Sequence, residues 1–296
     1  MKIYAGLILI LLFIGCSKVI DIDIPYEEKH LVVFGRFLSE GDWTVHIGKT
    51  QPVQETGFED IENARVSVFS GDNLVGRLSY TENGWYAMQA AKPAAGESYR
   101  VCVEADGFDP VEGTDTLQPK PELLAMYFDT ANAMTNFPYF MNDTGYPGVI
   151  FFKDSAGFPN FYEMNIEYQR IDTTEGLQDT ICSSAKYAIE DGLLQDNELW
   201  YEDHHEGKIT FSDLFFDGEE YLMFIVLDSR CILEGLSITV TLSGISKQTH
   251  EIMRSYAIQH QSGPFDDPMQ AGTNIENGYG LFCMFNPVTI SILWEE

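Results

Sequence analysis

Two short runs hold the side chains best suited to gripping a metal ion. His204-His205 is flanked by Glu202, Asp203 and Glu206, and a second acidic group comprises Asp213, Asp217, Glu219 and Glu220. Adjacent histidines point to opposite sides of a strand, so only an irregular loop would turn both onto one ion. A solvated polar loop is the simpler reading of 202–206. Calcium takes six to eight oxygens, and the spacing of the second group does not match an EF-hand loop. Asp217-Gly218 reads instead as a turn between strands with a charged rim. Asn277-Gly278-Tyr279-Gly280 has the glycines of a phosphate loop but lacks the lysine and following helix that such loops use, so a tight turn with positive φ is expected. There is no G-x-S-x-G elbow and no H-E-x-x-H pair. No catalytic residue, metal ligand or cofactor is therefore assigned, and the ligand is unknown.

The residue with the clearest chemical fate is Cys16. Lys2 and the apolar run Ile3 to Ile14 lead into Gly15, Cys16 and Ser17, the pattern of a bacterial lipoprotein signal. In that pattern the cysteine thiol is acylated and Cys16 becomes the first mature residue. The apolar run is too short to span a bilayer, which needs about 20 residues. Phe13 stands where such signals usually carry leucine. The expected product is a lipid-anchored protein of the outer membrane, with Asp21 and Asp23 near the anchor pointing to surface exposure.

The rest of the composition narrows the partners. The chain has 46 acidic and 17 basic residues and a net charge of −29. Nucleic acid would be repelled, because its binders need a basic face, and no basic patch is available for anionic lipid. Hydrophobic residues make up 45% of the 296, enough to build one large or two ordinary cores. Beyond Cys16 the cysteines are Cys102, Cys182, Cys231 and Cys283. Export permits disulfides in any of three connectivities, and no C-x-x-C spacing suggests zinc.

The elements read as mainly β. Residues 1–15 are the signal and 16–30 a tether. An immunoglobulin-like β-sandwich is expected over 31–118, with strands at 31–37, 43–47, 64–69, 73–80, 85–88 and 99–105 separated by Gly, Asn and Pro turns. The segment Leu117 to Glu122, with Pro119 and Pro121, reads as an extended linker. A second β-rich domain, sandwich or barrel-like, is expected over 119–296. Gly148 to Phe152 should form a hairpin with Phe161 to Tyr168 across Asp154-Ser155-Ala156-Gly157. Residues 171–208 read as surface loops, and Tyr221 to Leu227 as a strand buried on both faces. A helix near 246–261, capped by Ser246 and stopped by Gly263-Pro264, precedes closing strands from Gly278 to Trp294.

Three features coincide: the mature start from Cys16 to Pro25, the Leu31-Val32-Val33 strand with Lys49 to Val53 soon after, and the C-terminal block. That block runs from Ser243-Gly244-Ile245 through the helix to Asn274-Ile275-Glu276-Asn277-Gly278. Together they resemble the Bacteroidota lipoprotein family catalogued as domain of unknown function 4249. The resemblance implies a surface or outer-membrane lipoprotein, often encoded beside TonB-dependent transporters of the SusC type. The function expected from it is non-enzymatic: an accessory or ligand-capture partner of such a transporter in nutrient uptake, membrane-bound through its N-terminal lipid. A secreted glycan or peptide hydrolase and a structural or adhesive surface protein are the alternatives.

Overall fold

A computed structural model describes residues 29–51, 59–89, 91–135, 144–172, 179–185, 187–189, 201–203, 208–233, 235–261 and 271–293. The signal, most of the tether, His204-His205 and Gly263-Pro264 lie outside these residues. In chain order the first strands are β1 (Leu31–Leu38), β2 (Trp43–Lys49), β3 (Glu59–Asp60), β4 (Arg65–Ser70), β5 (Asn73–Tyr80), β6 (Trp85–Met88), β7 (Ser98–Glu104) and β8 (Val111–Thr116). There follow β9 (Glu122–Phe128), β10 (Met134–Thr135), β11 (Thr144–Lys153), β12 (Phe161–Asp172), β13 (Asp179–Ser184), β14 (Tyr187–Ile189), β15 (Tyr201–Asp203), β16 (Lys208–Ser212) and β17 (Glu220–Asp228). The chain ends with helix α1 (Ser229–Leu233), β18 (Gly235–Ile245), helix α2 (Lys247–Gln261), β19 (Ile275–Glu276) and β20 (Tyr279–Leu293). The protein is mainly β and, as expected, sandwich-like, and the described strands close no barrel.

The first sandwich follows from strict alternation. In β1 residues Leu31, Val33 and Phe37 face inward, and in β2 Trp43, Val45 and Ile47 do the same. These meet Val66 and Val68 of β4, Val101 and Val103 of β7 and Val111 of β8 in one core. Strand β5 pairs with β4 from Asn73 to Leu78 and with β6 through Ser79 and Tyr80, so it bends from one layer into the other. Phe37 sits edge-on to Trp43 at 4.6 Å and to Phe282 at 4.9 Å, an arrangement that aromatic quadrupoles favour.

Phe282 comes from the far end of the chain. The first half of β20 pairs in parallel with β1, from Val32↔Tyr279 to Leu38↔Phe285, and the second half pairs antiparallel with β18, from Gly244↔Asn286 to Ser237↔Leu293. With a side-chain period of two, Phe282 and Met284 enter the first core while Val288, Ile290 and Ile292 pack on the second. The C-terminal stretch is thus one 15-residue strand instead of several closing strands. Leu117 of the proline segment is also buried in the first core.

The second sandwich opposes β15-β16-β12-β18-β20 to β10-β11-β17-β14, with β9 along β11 and β13 along β12. The expected hairpin between 148–152 and 161–168 is not formed. Strand β11 pairs with β17 and β9, and β12 pairs with β18, β16 and β13, so the two lie in opposite layers and residues 154–160 cross between them. Residues 171–208 are not all loop either, since they supply β13, β14 and β15. The run 221–227 is not buried on both faces throughout. Tyr221, Met223 and Ile225 face the core, whereas Leu222 and Phe224 are about half exposed. The helix expected near 246–261 is present as α2, and Ser246 caps it. It lies across the junction, with Met253 against Phe161, Ile245, Cys283 and Phe285.

One backbone contact controls how β20 joins β1. Gly280 has φ +104°, and a Cβ there would stand 2.0 Å from the Val33 carbonyl oxygen. Gly280→Ala should therefore cost more than about 3 kcal/mol, whereas Gly96→Ala, at φ +83° in open space, should cost about 1 kcal/mol. Urea midpoints of the two variants test this, and equal losses would refute the close-approach argument.

Candidate functional site

Where the chain passes from β11 to β12 it must cross between two packed layers, and the crossing backbone has no ladder partners. Asp213 and Asp217 supply partners to two of its N–H groups, and Asp154 ties it to the facing turn. Asp154 Oδ2 accepts the Gly218 N–H at 2.7 Å, and its Oδ1 accepts the Tyr162 hydroxyl in a short hydrogen bond. Asp213 Oδ2 accepts the Asn160 N–H at 2.7 Å and the Asn160 side-chain amide at 3.2 Å. Asp217 Oδ1 accepts the Gly157 N–H at 3.1 Å. One carboxylate oxygen from each of the three lies within 4.8 Å of the others. The structure thus joins Asp213 and Asp217, adds Asp154 from a distant loop, and leaves Glu219 and Glu220 outside the group.

Asp154 and Asp213 are almost fully buried, so Asp213 is no part of a charged rim, although Gly218 at φ +76° does make the expected turn. Burial pushes the Asp213 carboxyl up, and the neighbouring charges of Asp154 and Asp217 push the same way against the Asn160 hydrogen bonds. Burial, then the hydrogen bond to Asp154, also pushes the Tyr162 hydroxyl well above its ordinary range, so it stays a proton donor. Three clustered carboxylates are the beginning of a calcium site, but calcium takes six to eight oxygens. Here the same oxygens already tie two loops together.

A second polar centre lies at the start of α2. Ser246 Oγ accepts the Thr249 N–H at 3.0 Å. Asp115, at the end of β8, accepts the Thr249 hydroxyl at 2.9 Å and the Met284 N–H at 2.8 Å, so one buried carboxylate joins β8, α2 and β20. Burial pushes the Asp115 carboxyl up. A cleft of about 500 Å³ opens beside it, with Arg100, Glu112, Lys247 and Glu276 on its walls. Arg100 and Glu112 pair across it at 2.8 Å, and this hydrogen bond holds the guanidinium pKa up.

Asn274 also reaches this cleft, and its role is structural. Its Oδ1 accepts the Phe282 N–H at 2.8 Å, and its amide donates to the Phe282 and Thr114 carbonyls at 2.7 and 3.2 Å. Asn277 has φ +60°, as a tight turn requires, and a Cβ on Gly278 would sit 2.7 Å from the Leu31 carbonyl. Asn274 to Gly280 therefore anchors β20. No disulfide joins Cys102, Cys182, Cys231 or Cys283 to one another. Burial pushes Cys283 up to about 12 and Cys102 up to about 11, which keeps both protonated and weakly nucleophilic at neutral pH. Cys16 lies outside the described residues. Sequence reasoning missed Asp154 and Asp115: one sits in an ordinary turn motif and the other in a strand, and neither spacing marks a remote partner.

Asp154→Ala would strand the Tyr162 hydroxyl and the Gly218 N–H, and should cost about 2–4 kcal/mol by chemical denaturation. Because the folded pKa of Asp213 is raised, its contribution to stability is complete below the ordinary carboxylate value of about 4 and is lost as pH rises through the higher folded value. Asp213→Asn should therefore gain on the wild type as pH rises across that window. A constant difference between their urea midpoints would contradict the assignment.

Comparison with curated proteins finds no match. Among solved structures, a β-glucuronidase from glycoside hydrolase family 2 is similar at 12% identity and a TM-score of 0.21. The match covers 91% of this chain but only 20% of the enzyme, and likeness at that level carries no functional argument. The family "Domain of unknown function (DUF4249)" matches residues 17–291, from just after Cys16 to near the end of β20, and the chain belongs to that family.

Proposed function

We propose that this protein is a Bacteroidota lipoprotein held in the outer membrane by acyl chains, palmitate among them, on Cys16, and displayed at the cell surface. In this reading it is a non-enzymatic accessory or ligand-capture partner of a TonB-dependent, SusC-type transporter in nutrient uptake. The observation that carries it is the run Leu11-Leu12-Phe13-Ile14-Gly15-Cys16-Ser17 behind a single N-terminal lysine. The tether from Ser17 to Lys29 would reach at most about 45 Å, which keeps the first sandwich near the bilayer. An apolar row on the outer side of the second sandwich supports an embedded protein partner. There Val149 faces Phe224 and Tyr127 across the strands, and Phe151 faces Leu222. Tyr127, Leu222 and Phe224 are 65%, 50% and 51% exposed, and such surfaces mark contact sites.

Palmitate labelling in cells should mark the wild type and not Cys16→Ala, which should leave the membrane fraction. Labelling that survives the substitution would remove the anchor from the argument. Affinity capture of the tagged wild type from solubilised outer membranes should recover a TonB-dependent transporter. Repeated recovery without one would overturn the accessory role, and protection from protease on intact cells would overturn surface display.

A further inference from the structure

The first sandwich carries a groove on its outer face that belongs to neither polar centre. Strands β1, β2 and β6 lie side by side there, and the register sets Phe34 opposite His46 and His46 opposite Trp85. These three rings form a row across the strands. One position along, Val32 lies opposite Gly48, whose missing side chain leaves a low point in the sheet surface. The resulting cavity is about 270 Å³, floored by Val32, Phe34 and Gly48. The Trp85 indole stands at 5.3 Å from the His46 ring, tilted by 62°, and lies beyond the histidine, outside the cavity's lining.

The rim is polar and its side chains are paired with one another. Lys49 Nζ meets Glu59 at 2.8 Å, Glu59 also takes a hydrogen bond from Gln51, and His46 Nε2 lies 3.0 Å from Asp60. A charged ligand would have to break one of these pairs, and anions would meet a protein of charge −29. An uncharged ligand with an apolar face for Phe34 and Val32 and a hydrogen-bonding edge for Gln51, Lys49 and Glu59 meets both conditions. At 270 Å³ the cavity falls just below the range of about 300–1,000 Å³ usual for drug-sized ligands, which limits the occupant to about one ring.

We propose that this groove binds a single pyranose ring of a neutral saccharide, its apolar face on Phe34 and Val32 and its hydroxyls on the Gln51–Glu59–Lys49 rim. The proposal names the ligand class for the capture role above and rests on that reading for its purpose. Its measurement is independent: binding is read on the purified full-length lipidated protein in detergent, with no transporter present. Failure to recover a transporter would leave a saccharide titration unchanged, and the converse also holds.

The test is isothermal titration calorimetry with maltohexaose, cellohexaose, laminarihexaose, xylohexaose and mannohexaose, each up to about 10 mM. At least one should bind, and Phe34→Ala and Gln51→Ala should each weaken it about tenfold or more, while Tyr127→Ala, on the other sandwich, should not. Gln51 lies on the rim after the end of β2, so Gln51→Ala keeps the test readable if Phe34→Ala does not fold. No binding by any of the five saccharides, or binding that survives Gln51→Ala, would overturn the proposal.

Discussion

The structure depends on one strand serving two cores from one side. In β20 the even-numbered Phe282 and Met284 enter the first sandwich interior, and Val288, Ile290 and Ile292 pack on the second. Its odd-numbered residues Leu281, Cys283 and Phe285 face the layer covered by α2. That alternation holds only while the strand stays in register with β1 and β18 together, because a slip of one residue would exchange the faces in both sandwiches at once. The positions that prevent it are chemical: the glycine at 280 against the Val33 carbonyl, and Asn274 completing the ladder at Phe282. The first sandwich therefore closes only when the last residues of the chain arrive. Long-range pairing of this kind is slow to form, since loop closure precedes any gain from the contact.

The layer beneath α2 is polar where a helix against a sheet would ordinarily be apolar. Glu163 on β12 is 2% exposed and pairs with Arg36 of β1, whose guanidinium lies 4.1 Å over the Phe285 ring. Glu163 Oε2, Asn165 Oδ1 and Thr210 Oγ1 make no hydrogen bond among the described residues. Buried groups of this kind cost stability, and an ion pair seldom recovers all of it. Their value is orientation. Moving β12 by one residue would carry Glu163 into the aromatic core around Phe152, where no cation waits. Asp115 works alike at the head of the helix, joining three elements through one carboxylate.

The first sandwich was legible because its strands mostly neighbour one another in sequence. Strands β1 with β2, β4 with β5 and β7 with β8 pair across local turns, and Asn83 and Gly84 at positive φ mark one such turn between β5 and β6. The second sandwich was misread at the point where local chemistry is ambiguous. Asp154-Ser155-Ala156-Gly157 suits a hairpin, and it suits equally a crossing between layers. What decides is whether Tyr162 pairs beside Phe152 or packs against it from the facing sheet, at 5.9 Å between rings, and that is set by β18 some 80 residues later. An apolar run such as 221–227 is likewise silent on which side meets solvent. Asp213 and Asp217 were visible as acids, but their grouping with Asp154 exists only once the layers are stacked.

The shared strand also bears on where a ligand would be held. Val32 and Phe34 are the second and fourth residues of β1, so the groove starts within about 10–15 Å of the point where the tether enters the fold. In a lipid-anchored protein that is the membrane-proximal end. Its floor is stiff because β1 is paired on both edges, with β2 on one side and β20 on the other. A β1 at the edge of a sheet would fray and drag Phe34 out of line with His46 and Trp85. By supplying the second partner, the C-terminal strand holds the aromatic row flat, and the same contact that joins the two sandwiches keeps the groove ready for a ring without reordering on binding.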